Sequence, residues 1–314
     1  MDAGIIIQVI LLLVGFVFLI KGSDFFVDGS SNVAYILKVP TIIVGLTIVA
    51  FGTSAPEAAV SITSSLSGNN AMAVSNVIGS NLFNMLMVIG VSAILSNLLM
   101  EKNILKKDLP FLVAITLLLT IFIVIDWKIS TIEGIILLVL LIGYVFFLVQ
   151  SARKDSHAHD VDKPKLNLKK SIAFIIIGLA GIIIGGDLVV DSASSIAIAL
   201  GLSETLVGLT IVAIGTSLPE FVTSITALKK GENQLVIGNV IGSNIFNILF
   251  VLGASSAISE IPLNPSLLID TVFMIFVTIL CFIFGKTEEK YDKKEGIILI
   301  TLFIVYMIFV ILRN

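Results

Sequence analysis

Two acidic side chains stand in stretches of chain that otherwise avoid charge. Glu57 and Glu220 each follow a proline directly, inside the hexapeptides GTSAPE (52–57) and GTSLPE (215–220), and both hexapeptides lie in long apolar segments. A carboxylate at bilayer depth is costly unless it is paired, so it marks function by default. The basic residues of the chain lie in its loops, so the countercharge has to come from elsewhere. A bound cation is the simplest source; the alternative is two protonated glutamates with a structural or proton-carrying role. Pro56 and Pro219 each remove a helix hydrogen bond and free the carbonyl four residues earlier, here that of Gly52 and Gly215. Both glycines also allow another backbone to come close. Irregular backbone is tolerated at membrane depth where it lines a cavity. Carbonyls, hydroxyls and carboxylates are the hard oxygen ligands that calcium takes in sets of about six to eight.

Helical spacing adds partners to each glutamate. Thr53 and Ser54 precede Glu57 by four and three residues, which predicts one shared face, and Thr216, Ser217 and Glu220 repeat the pattern. A second pair of motifs, GSNLFN (79–84) and GSNIFN (242–247), sets Ser80 four residues from Asn84 and Ser243 four from Asn247. Each half therefore offers one acidic and one neutral polar face. A lone Ser or Asn in a membrane helix often only bonds its neighbour. Duplication of all these groups around two glutamates favours one shared metal-ion site.

The elements that must position these residues are membrane helices. Of the 314 residues 57% are hydrophobic and only 13% charged, with a mean hydropathy of +1.12, against about 25% charged in soluble domains. Ten apolar runs approach the roughly 20 residues that span a bilayer: near 4–20, 33–51, 71–95, 109–125, 130–150, 171–190, 205–228, 234–258, 266–284 and 296–312. The runs are continuous rather than alternating, which excludes a transmembrane barrel. The first run lacks a basic flank and a cleavage site before Lys21, so it reads as a span and not as a signal peptide. Cys281 is the one cysteine, so no internal disulfide can form. The net charge of −3 comes with no basic stripe for nucleic acid, and the sequence calls for neither a cofactor nor an obligate protein partner.

With ten spans, the odd-numbered connections hold all of the 19 basic residues except Lys128 and Arg313. Cytoplasmic connections carry such an excess. Both termini are thus expected outside and the 151–170 connection in the cytoplasm, with Lys21 and Lys38 the members nearest a helix end.

The two halves match at a constant offset of 163 residues. Val44–Glu57 and Val207–Glu220 differ only at Phe51/Ile214 and Ala55/Leu218, and Ser75–Leu86 matches Gly238–Leu249 at 9 of 12 positions. Gly22–Leu37 aligns more weakly with Gly185–Leu200 and pairs Asp24 with Asp187 and Asp28 with Asp191. The expected fold is an all-α membrane protein of ten transmembrane helices in two five-helix repeats: residues 1–151, a cytoplasmic linker 152–170, and residues 171–314. Five being odd, the second copy enters from the opposite face. Inverted repeats with broken helices are a transporter architecture, with the site near the midplane where the repeats meet.

Together GTSAPE with GTSLPE and GSNLFN with GSNIFN resemble the two alpha-repeats of the sodium/calcium exchanger family, within the wider cation/calcium antiporters, over essentially the whole chain. The resemblance implies a core of spans 2, 3, 7 and 8, with spans 1 and 6 a long tilted pair that slides across it. It implies that Glu57 and Glu220, with the Thr53 and Thr216 carbonyls, hold Ca2+. It places Na+ on overlapping groups that include Ser54, Ser217, Ser80, Ser243 and the Ala50 and Ala213 carbonyls, with Asn84 and Asn247 at the centre. Potassium-dependent relatives, and some archaeal-type exchangers, carry Asp where Asn247 stands, so Asn there points away from potassium coupling. The proton/calcium branch shows a different acidic motif. The implied activity is exchange of Na+ for Ca2+ across the cell membrane, with no enzymatic chemistry.

Asp24 and Asp187 read as helix-end or cavity-rim groups. Asp187 sits in GGD, but an intramembrane aspartyl protease motif needs glycine where Ile184 stands. His157 and His159 lie in a charged connection and read as solvated linker rather than metal ligands.

Overall fold

The computed structural model describes residues 3–67, 70–155, 165–201, 213–263 and 266–313. His157, His159, Lys163 and the 205–212 part of the seventh expected span lie outside them. Apart from four two-residue strands, the regular elements described are helical: α1 (Ala3–Leu37), α2 (Thr41–Thr53), α3 (Ala55–Leu66), α4 (Met72–Leu95), α5 (Ile104–Asp126), α6 (Thr131–Asp155), α7 (Leu168–Ala199), α8 (Ala213–Gly215), α9 (Leu218–Lys229), α10 (Asn233–Ile258), α11 (Ser266–Thr287) and α12 (Lys293–Arg313). Among the described residues eight helices are long and apolar enough to cross a membrane, and the bent pair α2–α3 makes a ninth span.

The first spans differ from the sequence reading. The run near 4–20 continues unbroken to Leu37, and the second span is 41–66 instead of 33–51. The polar stretch KGSDFFVD (21–28) looked like a connection, yet the helix passes through it because its charges find partners. Lys21 lies 3.9 Å from Asp24, and Lys230 lies 2.7 Å from Asp28 and 3.6 Å from Asp24. Lys21 therefore belongs to a helix and not to a connection, and Asp24 and Asp187 sit well inside α1 and α7 instead of at helix ends. The same extension carries the 171–190 run out to Leu168–Ala199.

At 35 residues α1 is about 50 Å long, well beyond a 30 Å hydrocarbon core, so it must tilt. It runs against α7 along small residues. A Cβ at Gly22 would lie 2.7 Å from the Ile182 nitrogen and 2.8 Å from the Gly178 oxygen, and one at Gly185 would lie 2.6 Å from the Leu19 nitrogen. In lipid, where apolar burial does not drive helices together, such close backbone approach supplies the packing. Gly22→Leu is therefore expected to cost about 1–3 kcal/mol or more of stability, read as a fall in the thermal aggregation midpoint in detergent. A midpoint unchanged within a degree or so would show that the pair is not close-packed there.

The centre is formed by α4, largely covered by protein, and α10, covered almost throughout. Each half reaches into the other. Gly45 of α2 lies against Gly238 of α10, α6 packs on α10 where Gly134 meets Gly253, and α12 packs on α4 where Gly296 meets Gly90. Strands β1 (Leu98–Leu99) and β4 (Lys290–Tyr291) pair antiparallel, as do β2 (Lys128–Ile129) and β3 (Ile261–Pro262), so each ladder joins the two halves.

The internal match extends further than the motifs, at an offset one residue shorter. Tyr144 hydroxyl donates to Asp108 at 2.9 Å and stacks on Phe111 at 4.8 Å; Tyr306 donates to Asp270 at 3.2 Å and stacks on Phe273 at 4.9 Å. The second copy adds Arg313, which grips Asp270 through two nitrogens at 3.0 and 2.9 Å.

Candidate ion site

The two prolines do break their helices, and the break decides where the glutamates point. Ser54 lies between α2 and α3 with φ −83° and ψ 7°, and the two segments meet at 48°. Ser217 sits in the matching position before α9 with φ −93° and ψ 4°. Glu57 and Glu220 consequently occupy the first turns of α3 and α9. Unsatisfied N–H groups at a helix start carry partial positive charge and favour a carboxylate there. Gly52 and Gly215 provide close packing, but against the side chains of Phe26 and Leu179, and of Val190, instead of another backbone.

Because the helix is interrupted, Thr53 and Ser54 do not share a continuous face with Glu57. The pairing is crossed between halves. Ser54 hydroxyl donates to Glu220 Oε1 at 2.8 Å, and Ser217 hydroxyl donates to Glu57 Oε1 at 3.1 Å. Ser80 also donates to Glu57 Oε1 at 3.1 Å and lies 2.9 Å from the Ser217 hydroxyl. Thr53 donates to Asn239 Oδ1 at 3.0 Å and Thr216 to Asn76 Oδ1 at 3.3 Å, while Ser243 lies 3.5 Å from the Thr53 hydroxyl. Asn84 and Asn247 begin widened π turns in α4 and α10, a distortion frequent at functional sites. Each glutamate thus accepts from the serine of the opposite half's hexapeptide, and Glu57 accepts from Ser80 of its own half as well.

Both glutamates are fully buried. Among the described residues no ion pair involves either carboxylate. Four acceptor oxygens in this cluster, Glu57 Oε2, Glu220 Oε2, Asn84 Oδ1 and Asn247 Oδ1, are buried without a hydrogen-bond partner. Buried acceptors are almost always satisfied, and here four unsatisfied ones stand in one cluster. Ala50 is buried on the α2 side, and Ala213 opens α8.

Four further asparagines support the cluster and carry no role in the motif reading. Asn76 Nδ2 donates to Ser61 at 3.1 Å and to the Glu57 carbonyl at 3.4 Å, and Asn239 Nδ2 donates to Ser224 at 3.0 Å and to the Glu220 carbonyl at 3.3 Å. Asn81 and Asn244 bond each other's main-chain carbonyls at 3.4 and 3.2 Å. Their identity at the 163-residue offset was the available signal; a role for them needed the contacts.

The sodium/calcium exchanger protein family model matches residues 7–150 and 170–312. An uncharacterized membrane protein of Methanocaldococcus jannaschii is 35% identical, with 93% of this chain and 94% of that protein covered. The sodium/calcium exchanger MaX1 of Methanosarcina acetivorans is 32% identical, over 97% of this chain and 98% of that protein. The solved structure of the sodium-calcium exchanger NCX_Mj, soaked with Na+ and Sr2+, superposes with a TM-score of 0.85 at 32% identity, covering 96% of this chain and 98% of that one. Two broken helices, two buried carboxylates and a family match over nearly the full length agree: the chain is a multi-pass membrane protein and belongs to the sodium/calcium exchanger family.

Proposed function

We propose that this protein exchanges Na+ for Ca2+ by alternating access over one shared oxygen-lined site between its halves. The observation that carries this reading is the set of four partnerless buried oxygens on Glu57, Glu220, Asn84 and Asn247. Ca2+ is held by the two carboxylates with the Thr53 and Thr216 carbonyls. Na+ takes overlapping groups: Ser54, Ser217, Ser80, Ser243 and the carbonyls of Ala50 and Ala213. Asn84 and Asn247 sit at the centre. Since the same oxygens serve both ions, binding is mutually exclusive, and exchange follows from that exclusion. Two carboxylates balance one Ca2+ or two Na+; a third Na+ carries surplus charge, so exchange is electrogenic. Asn247, where potassium-dependent relatives place Asp, supports a potassium-independent cycle.

The architecture that serves this cycle is ten spans in two inverted five-span halves, residues 1–151 and 171–314, joined by the 152–170 linker. The crossed contacts and the repeat offset support it. Both termini lie outside and the linker in the cytoplasm, as the basic residues indicate. The test is calcium uptake into proteoliposomes with Na+, K+ and H+ varied one at a time. Uptake is expected to require an outward Na+ gradient and to ignore K+ and a pH jump. Uptake driven by a pH jump without Na+ would make this a proton/calcium antiporter, and a K+ requirement would overturn the potassium-independent cycle.

A further inference from the structure

We propose that Asn81 and Asn244, which donate to no carboxylate and present no free oxygen, are positioning residues that aim the oxygens of Asn84 and Asn247 at the ion. The inference rests on the exchange reading above. A side-chain amide has two ends of opposite character, an acceptor oxygen and a donor nitrogen. Only the oxygen suits a cation; an amide turned round would present N–H groups and repel it.

The contacts set that choice. Asn84 Nδ2 donates to Asn244 Oδ1 at 3.1 Å, and Asn247 Nδ2 donates to Asn81 Oδ1 at 3.1 Å and to Ser80 at 3.2 Å. With the nitrogen ends engaged, Asn84 Oδ1 and Asn247 Oδ1 are the ends left bare. Asn81 and Asn244 are themselves held, because each spends its nitrogen on the main-chain carbonyl of the other at 3.4 and 3.2 Å. All four are buried, so water does not compete for these bonds. The arrangement is crossed: Asn81 orients Asn247, and Asn244 orients Asn84. Each half thereby sets the central ligand of the other.

The crossed pairing gives a test that a merely structural role would not pass. Asn81→Leu removes the acceptor that holds the Asn247 nitrogen. The half-saturating concentrations of Ca2+ and Na+ are expected to rise about ten-fold, the loss of one charge–dipole contact, with the maximal rate little changed. A carboxylate has oxygen at both ends and needs no orienting. Adding Asn247→Asp to Asn81→Leu should therefore bring half-saturation back to that of Asn247→Asp alone, while adding Asn84→Asp should not. The mirror set, Asn244→Leu with Asn84→Asp against Asn247→Asp, reads the same pattern if Asn81→Leu does not fold. Unchanged half-saturation in the leucine variants, or equal rescue by either aspartate, would overturn the positioning role while wild-type exchange stands. Absence of Na+-driven exchange in the wild type would overturn both readings.

Discussion

Replacing Glu57 or Glu220 with glutamine is expected to eliminate sodium-driven calcium uptake. Glutamine keeps an oxygen where Ser217 and Ser80 donate to Glu57, and where Ser54 donates to Glu220, so the fold loses little. On the proposed exchange, what disappears is one of the two charges that neutralise the divalent ion, and among the described residues neither carboxylate has a basic partner. Removing one partner from a buried charge pair costs about 3 kcal/mol or more, so calcium affinity should fall on the order of 100-fold. Tracer calcium uptake into proteoliposomes, alongside a check that the variants remain monodisperse, reads this directly. Near-normal uptake in either variant would remove the glutamates from the site.

The second large effect is on voltage. If three Na+ move against one Ca2+, each cycle carries one net charge across the bilayer. A potential of 100 mV is worth about 2.3 kcal/mol per charge, which shifts the steady-state calcium ratio by about 50-fold. Potassium diffusion potentials of opposite sign, set with valinomycin, should accelerate uptake in one direction and slow it in the other. Equal uptake at both potentials would mean an electroneutral cycle of two Na+ per Ca2+.

The broad design was legible before any coordinates. Helices in lipid satisfy their own backbone, so long apolar runs announce themselves, and the near-identity of GTSAPE with GTSLPE, which differ only at Ala55/Leu218, marked Glu57 and Glu220. Partners were harder to read. The expectation that Thr53 and Ser54 serve Glu57 assumed an unbroken helix. The turn at Ser54 cancels that register and sends Ser54 to Glu220. The KGSDFFVD stretch misled for a related reason: its charges are tolerated in α1 because Lys230, about 200 residues away, comes to meet them. The π turns at Asn84 and Asn247 had no visible signal, because a widened turn depends on packing and not on a residue type. The Asp108–Tyr144 and Asp270–Tyr306 pairs escaped for a simpler reason: a one-residue deletion between the motifs and these pairs hides them from a search at one fixed offset.

The two small ladders have a mechanical consequence. Each clasps a connection of one half to a connection of the other, β1 to β4 and β2 to β3, and with alternating spans the clasps fall on opposite faces of the bilayer. They brace α4, α5 and α6 against α10, α11 and α12 above and below. The spans flanking the strands are α4, α5 and α6 in one half and α10, α11 and α12 in the other; α1, α7, α9 and the bent pair α2–α3 flank none. A load across the clasps is therefore shared by those six spans, while the glycine seam couples α1 and α7 to each other as one rigid strut.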